Sequence, residues 1–79
     1  MATPESIKQY IEQGMAVTYL SVDGDGQHFE AVVVSEEFAG KSRVQRHQRV
    51  FQTLGDRMRE EIDALSIKTF TPQEWESSR

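Results

Sequence analysis

Two runs rich in β-branched and aromatic residues, 16–22 and 29–34, are separated by Asp23-Gly24-Asp25-Gly26. This is among the strongest short hairpin signals, because glycine adopts positive φ without the steric cost that a Cβ imposes. A chain carrying it is constrained to fold around an antiparallel strand pair. Phe29, Ala31 and Val33 alternate along the second run, so one face of the hairpin is apolar and needs cover.

The punctuation around the hairpin says what covers it. Thr3 before Pro4 and Glu5 predicts a helix start, with proline at the first helical position and an acid in the first turn. Ile7, Tyr10, Ile11 and Met15 follow at near-helical spacing, and Gly14 is expected to stop that helix. Residues 35–41 read as a loop or short turn. Ser42 followed by Gln45 resembles a capping box and opens the longest helix, expected over 42–59. Val44, His47, Phe51, Leu54 and Met58 fall at spacings of three and four with Val50 beside them, which predicts one apolar stripe. Gly55 within that helix costs about 1 kcal/mol relative to alanine, so fraying is expected beyond it. Residues 64–70 alternate as a third strand. Thr71-Pro72-Gln73-Glu74 is a further capping signal, opening a short last helix that carries Trp75. The expected order is α-β-β-α-β-α, an α+β fold with helices on one face of a three-stranded sheet. At 79 residues it is expected to be a single domain spanning 1–79.

Charge is distributed unevenly over this frame. Lys41, Arg43, Arg46, Arg49, Arg57 and Arg59 face the single acid Asp56 within 41–59, in a chain whose net charge is −4. A concentrated basic face suits an anion, whether nucleic acid, a carboxylate-rich partner or a thiolate-ligated cluster, although solvated helix faces are often basic too. The overall negative charge argues against indiscriminate nucleic-acid binding.

Several chemistries are excluded. There is no cysteine, so disulfides, thiol redox chemistry and thiolate-built zinc sites are out of reach. No apolar run approaches the roughly 20 residues of a membrane span, and the polar start Met1-Ala2-Thr3-Pro4-Glu5 does not resemble a signal peptide. A cytoplasmic location is expected. Gly40-Lys41-Ser42 resembles the end of a phosphate-binding P-loop, but Ser35 stands where the first glycine belongs, and Glu36 and Glu37 would repel phosphate. Ser42, His47 and an aspartate lack a nucleophile elbow and a water-excluding wall, so neither an enzyme nor a small-molecule substrate is expected. His47, on the apolar stripe, is expected to be a partly buried histidine bonded to a local acceptor. His28, beside the hairpin turn, is expected to be exposed with free ring nitrogens. One imidazole is not a metal site unless a partner brings the remaining ligands.

Phe38-x-Gly40-x-Ser42-x-x-x-Arg46-His47-x-x-Val50, followed by Ala64-Leu65-Ser66-Ile67-x-Thr69-x-Thr71-Pro72-x-Glu74-Trp75, resembles the BolA-like family. The compact hairpin Asp23-Gly24-Asp25-Gly26-Gln27-His28-Phe29 is similar to that family's short-loop bacterial branch. The resemblance covers nearly the whole chain. It implies a fold like the class II KH domain, with a helix-turn-helix-like unit after the hairpin. It implies a non-enzymatic regulator or adaptor that pairs with a monothiol glutaredoxin of the CGFS type. A [2Fe-2S] cluster shared with that partner and glutathione would then serve iron sensing or cluster delivery. A second implied function is DNA binding in transcription regulation of stress response and cell shape. In either case Lys41, Ser42, Arg43, Arg46, His47 and Arg49 would form the binding surface. The cluster ligands implied are His28 and the residue just before the Ala64-Leu65-Ser66 strand. The family has histidine at that second position and this chain has Asp63, a harder ligand than imidazole.

Overall fold

The hairpin organises the sheet. In a computed structural model, which describes residues 2–62 and 64–78, β1 (Tyr19–Gly24) and β2 (His28–Val34) pair antiparallel from Tyr19↔Val34 to Gly24↔Phe29. The turn is set locally: Asp25 Oδ1 accepts from the N–H groups of Gln27 at 3.0 Å and His28 at 2.9 Å. β3 (Ala64–Phe70) pairs with the other side of β2, in parallel, from His28↔Ala64 to Val34↔Phe70. The sheet order is therefore β1-β2-β3 with β2 central.

Before β1 lies α1 (Pro4–Gly14), whose start is closed by a reciprocal capping box between Thr3 and Ser6. Between β2 and β3 run a 3-10 turn (Glu36–Phe38), α2 (Arg43–Leu54) and the one-turn α3 (Arg57–Glu60). α4 (Pro72–Ser78) ends the described chain, with Thr71 and Glu74 exchanging bonds at its start. The α+β class and the expected order of the main elements are present.

The core forms where α1 and α2 lie on the Phe29, Ala31 and Val33 face. Ile7 and Ile11 from α1, Val50 and Leu54 from α2, Phe29 and Val33 from β2, and Phe38 are fully buried, with Leu20 and Ile67 nearly so. α1 and α2 approach closely at Gly14, where an added Cβ would sit 2.7 Å from Thr53 Cβ. The helix does stop at Gly14, but the next residue is simply extended, so glycine is needed there for the close approach rather than for a left-handed turn. The second face is closed at one end. Trp75 of α4 stacks on Tyr19 with ring centroids 5.1 Å apart and meets Phe70 at 5.3 Å. Tyr19 and Phe70 flank Val34 in the register, and Val34 is fully buried between them.

Two expectations are corrected. The helix expected over 42–59 is two helices, because Gly55 takes φ 55° and ψ −134° and ends α2. A residue with a Cβ is strained at positive φ, so glycine terminates the helix here instead of merely loosening it. The apolar stripe is also narrower than its spacing implied. Burial centres on Val50 and Leu54, with His47 and Phe51 half-buried on the flank, while Val44 is 65% exposed. At 3.6 residues per turn Val44 lies roughly 100° round from the Val50–Leu54 mid-line, outside the contact with α1.

Leu54→Ala is expected to cost about 2–5 kcal/mol, the range for a fully buried leucine that leaves a cavity. Val44→Ala is expected to change stability by less than about 0.5 kcal/mol, as for an exposed position. Thermal melts of the two variants check this; equal losses would mean that α2 packs through a different face.

Candidate functional site

The basic face sorts into cations that hold the fold together and cations that point outward. Ser42 caps α2 as expected, accepting from Gln45 N–H while Gln45 Oε1 accepts from Ser42 N–H. Arg46 then turns inward. It makes a two-pronged ion pair with Glu74 of α4, at 2.7 and 3.2 Å, and donates to the Lys41 carbonyl at 3.0 Å. Its guanidinium lies 5.9 Å from the Phe38 ring centroid. Arg49 turns inward too, donating to Glu37 Oε1 at 2.9 Å and to the Gly14 carbonyl at 3.0 Å. The other Glu37 oxygen accepts from Ala16 N–H at 2.8 Å, so the end of α1, the 3-10 turn and α2 meet at one carboxylate. Arg57 covers the Tyr10 ring at 3.9 Å. Lys41 and Arg43 are exposed and make no ion pair among the described residues.

The carboxylates respond to these partners. The Arg46 guanidinium and then the Thr71 N–H lower Glu74 to about 2. Glu37 is lowered first by the Ala16 N–H and then by Arg49. His47 is half-buried, and burial followed by the charge of Arg43 pushes its pKa down, which favours the neutral ring. Lys41, Arg43, Arg46 and His47 line one wall of a groove of about 370 Å³. The opposite wall is Ile67, Lys68, Thr69 and Phe70 of β3.

His28 lies elsewhere. It stands opposite Ala64 at the start of β3, while the groove runs along residues 67–70. At about 3.3 Å per strand residue the two places are separated by roughly 10–20 Å. The ring is exposed as expected, but Nε2 lies 3.2 Å from Ser66 Oγ, so one ring nitrogen is engaged. The contact holds the imidazole over the β3 end of the sheet. Asp63, the other cluster position implied by resemblance, lies outside the described residues. Among the described residues no three His, Cys, Asp or Glu side chains converge as a metal site, and no helix is long and apolar enough to cross a membrane.

Three participants escaped sequence reasoning. Glu74 was legible as a capping residue but not as the partner of Arg46, 28 positions away. In the sequence Glu37 is only a charge that would repel phosphate. Lys68 has no signal in an alternating strand, and only the strand order puts it in the lining of the groove at the sheet edge.

The comparisons agree with this architecture. The family model described as BolA-like protein matches residues 5–74. The chain is 32% identical over 87 residues to the DNA-binding transcriptional regulator BolA of Haemophilus influenzae, covering 98% of this chain and 84% of that one. It is 36% identical over 74 residues to the acid stress protein IbaG of Escherichia coli K12, covering 92% and 88%. The structure of a bolA protein homologue from Coxiella burnetii superposes with a TM-score of 0.85 at 47% identity, covering 96% and 99%.

The Arg46–Glu74 pair makes a pH prediction. Glu74 has a folded pKa below its ordinary value of 4.5, so its contribution to stability is present above that value and is lost as pH falls towards about 2. Glu74→Gln removes the charge, so its melting temperature is expected to lie below wild type at neutral pH. The gap between the two should close on acidification through that window. Melts by circular dichroism along a pH series check this; a constant gap would mean that the ion pair contributes nothing.

Proposed function

The chain belongs to the BolA-like family, and on that premise we propose that it is a non-enzymatic regulator or adaptor that pairs with a monothiol CGFS glutaredoxin in iron sensing or cluster trafficking. The observation that carries this reading is the parallel register of β2 and β3, which sets the exposed His28 beside the start of β3. An exposed imidazole held by Ser66 can offer its second nitrogen to an external ligand set. With no cysteine and no clustered ligands among the described residues, this chain would not hold a [2Fe-2S] cluster by itself. His28 would be its described contribution, and thiolates would come from the glutaredoxin and glutathione. The cluster would supply the electron-transfer and iron-transfer chemistry. The chain's own part is to orient one imidazole and present a docking surface.

Reconstitution with a CGFS glutaredoxin, glutathione, iron and sulfide tests this through visible absorption and circular dichroism. His28→Ala is expected to shorten the cluster lifetime, Asp63→His to lengthen it, and Asp63→Ala to change it little. Equal lifetimes for all four proteins would defeat the ligand assignment.

A second reading, DNA binding in transcription regulation, is supported by the name of the Haemophilus influenzae relative and by the outward Lys41 and Arg43. If it holds, Lys41→Gln and Arg43→Gln should each weaken binding to labelled duplex and flatten the salt dependence by about one unit of slope. Changes at Arg46 and Arg49 should act instead through folding. An absence of binding at low salt removes this reading.

A further inference from the structure

β3 is an edge strand, and among the described residues one of its two hydrogen-bonding sides has no main-chain partner. The Phe70 carbonyl accepts from Ser35 N–H at 3.0 Å, so the main-chain groups of Phe70 point towards β2. Main-chain groups alternate sides along a strand, so those of Ile67 and Thr69 point away from the sheet. Among the described residues they receive no main-chain partner. This free edge is one wall of the groove facing the first turns of α2.

We propose that this edge takes up an extended, acidic segment of a partner protein as a fourth strand, with the alternating side chains of that segment read by Lys41 and Arg43 on the α2 side and by Lys68 on the other face. Charge complementarity picks the occupant. Among the described residues no acidic side chain lines the groove, and these three cations make no ion pair. Arg46 in the same wall is already neutralised by Glu74, so the field of the groove comes from the three free cations. Ile67 and Phe70 supply an apolar component between them.

A second copy of the chain is a poorer occupant. Antiparallel self-pairing of β3 would bring Lys68 close to its own equivalent and set two basic walls against each other, and like charges across strands are destabilising. A lysine on an edge strand blocks self-pairing in this way while leaving the edge open to a strand of opposite charge. Nucleic acid fits less well for another reason. A phosphate backbone accepts hydrogen bonds but cannot donate to the Ile67 and Thr69 carbonyls, whereas a peptide does both. The β1 edge lacks the same character: the groove beside it carries Glu5 with Lys8.

The inference does not depend on glutaredoxin pairing, since it concerns the opposite end of β3 from His28. The test uses the whole chain and a short labelled peptide of valine and glutamate, with glutamates at both odd and even positions so that each face of the added strand carries them. The same peptide with lysine for glutamate and a labelled oligodeoxythymidylate serve as comparisons. Fluorescence anisotropy reads binding, and amide hydrogen exchange by NMR reads the edge. The glutamate peptide is expected to bind and to slow exchange at Ile67 and Thr69 by about tenfold or more, the signature of newly bonded strand amides. Arg43→Glu combined with Lys68→Glu should weaken binding by about tenfold or more, roughly two lost charge contacts. Thr69→Pro removes an outward N–H without touching the β2 ladder, and should abolish binding while leaving the far-ultraviolet spectrum in place. If that variant does not fold, the double charge variant still decides. The proposal is overturned by no binding, by equal binding of the lysine peptide, or by binding that leaves the Ile67 and Thr69 amides unprotected. Protection of the same amides by the oligonucleotide, or by self-association of the chain alone, overturns it as well.

Discussion

A parallel strand pair cannot be closed by a tight turn, and that constraint shapes most of this molecule. β2 and β3 run side by side in the same direction, so the chain between them has to travel back along the sheet. It does so as α2, which lies over the apolar face of the hairpin and buries Val50 and Leu54 against it. Because α2 must start near the far end of β2 and finish near the start of β3, its capped N-terminus falls beside residues 67–70. The groove is thus a product of the crossover. The same constraint leaves β3 with one unpaired side, since β2 is already bonded on both of its own.

The basic residues divide their work according to which of them have a carboxylate within reach. Arg46 and Arg49 lie towards the body of the protein, where each reaches a carboxylate and a main-chain carbonyl. Together they tie α2 to α4, to the 3-10 turn and to the end of α1. Lys41 and Arg43 are exposed in the groove wall, make no ion pair among the described residues and remain available. A count of positive charges over 41–59 therefore overstates the exposed basic surface, because Arg46 and Arg49 are committed internally. The exposed part is small enough to suit a protein segment or a few phosphates, and too small to dominate the field of an acidic chain.

The two ends of β3 offer different chemistry. At its start His28 brings an imidazole steadied by Ser66, and at its finish lie the cations and the free edge. A partner could engage one end without the other. The groove depends on the α2 cap and the Arg46–Glu74 pair, whereas His28 depends on the Asp25 turn.

Much of the secondary structure was legible because its causes are local. Thr3, Ser42 and Thr71 each cap a helix through a residue three positions on, and Asp25 sets the turn through the next two or three residues. Such bonds are written within a few positions of sequence, as is the alternation of Phe29, Ala31 and Val33. What the sequence by itself determined is therefore the set of elements, the apolar face of the hairpin and the concentration of charge after Gly40. Only the tertiary structure decided the strand order, the exposure of Val44, the inward commitment of Arg46 and Arg49, the contact between His28 and Ser66, and the place of Lys68 in the groove. Each of these joins residues 12 to 38 positions apart or depends on which side of a helix meets its neighbour. Pairings over that distance follow from how the layers stack, and no local pattern records them.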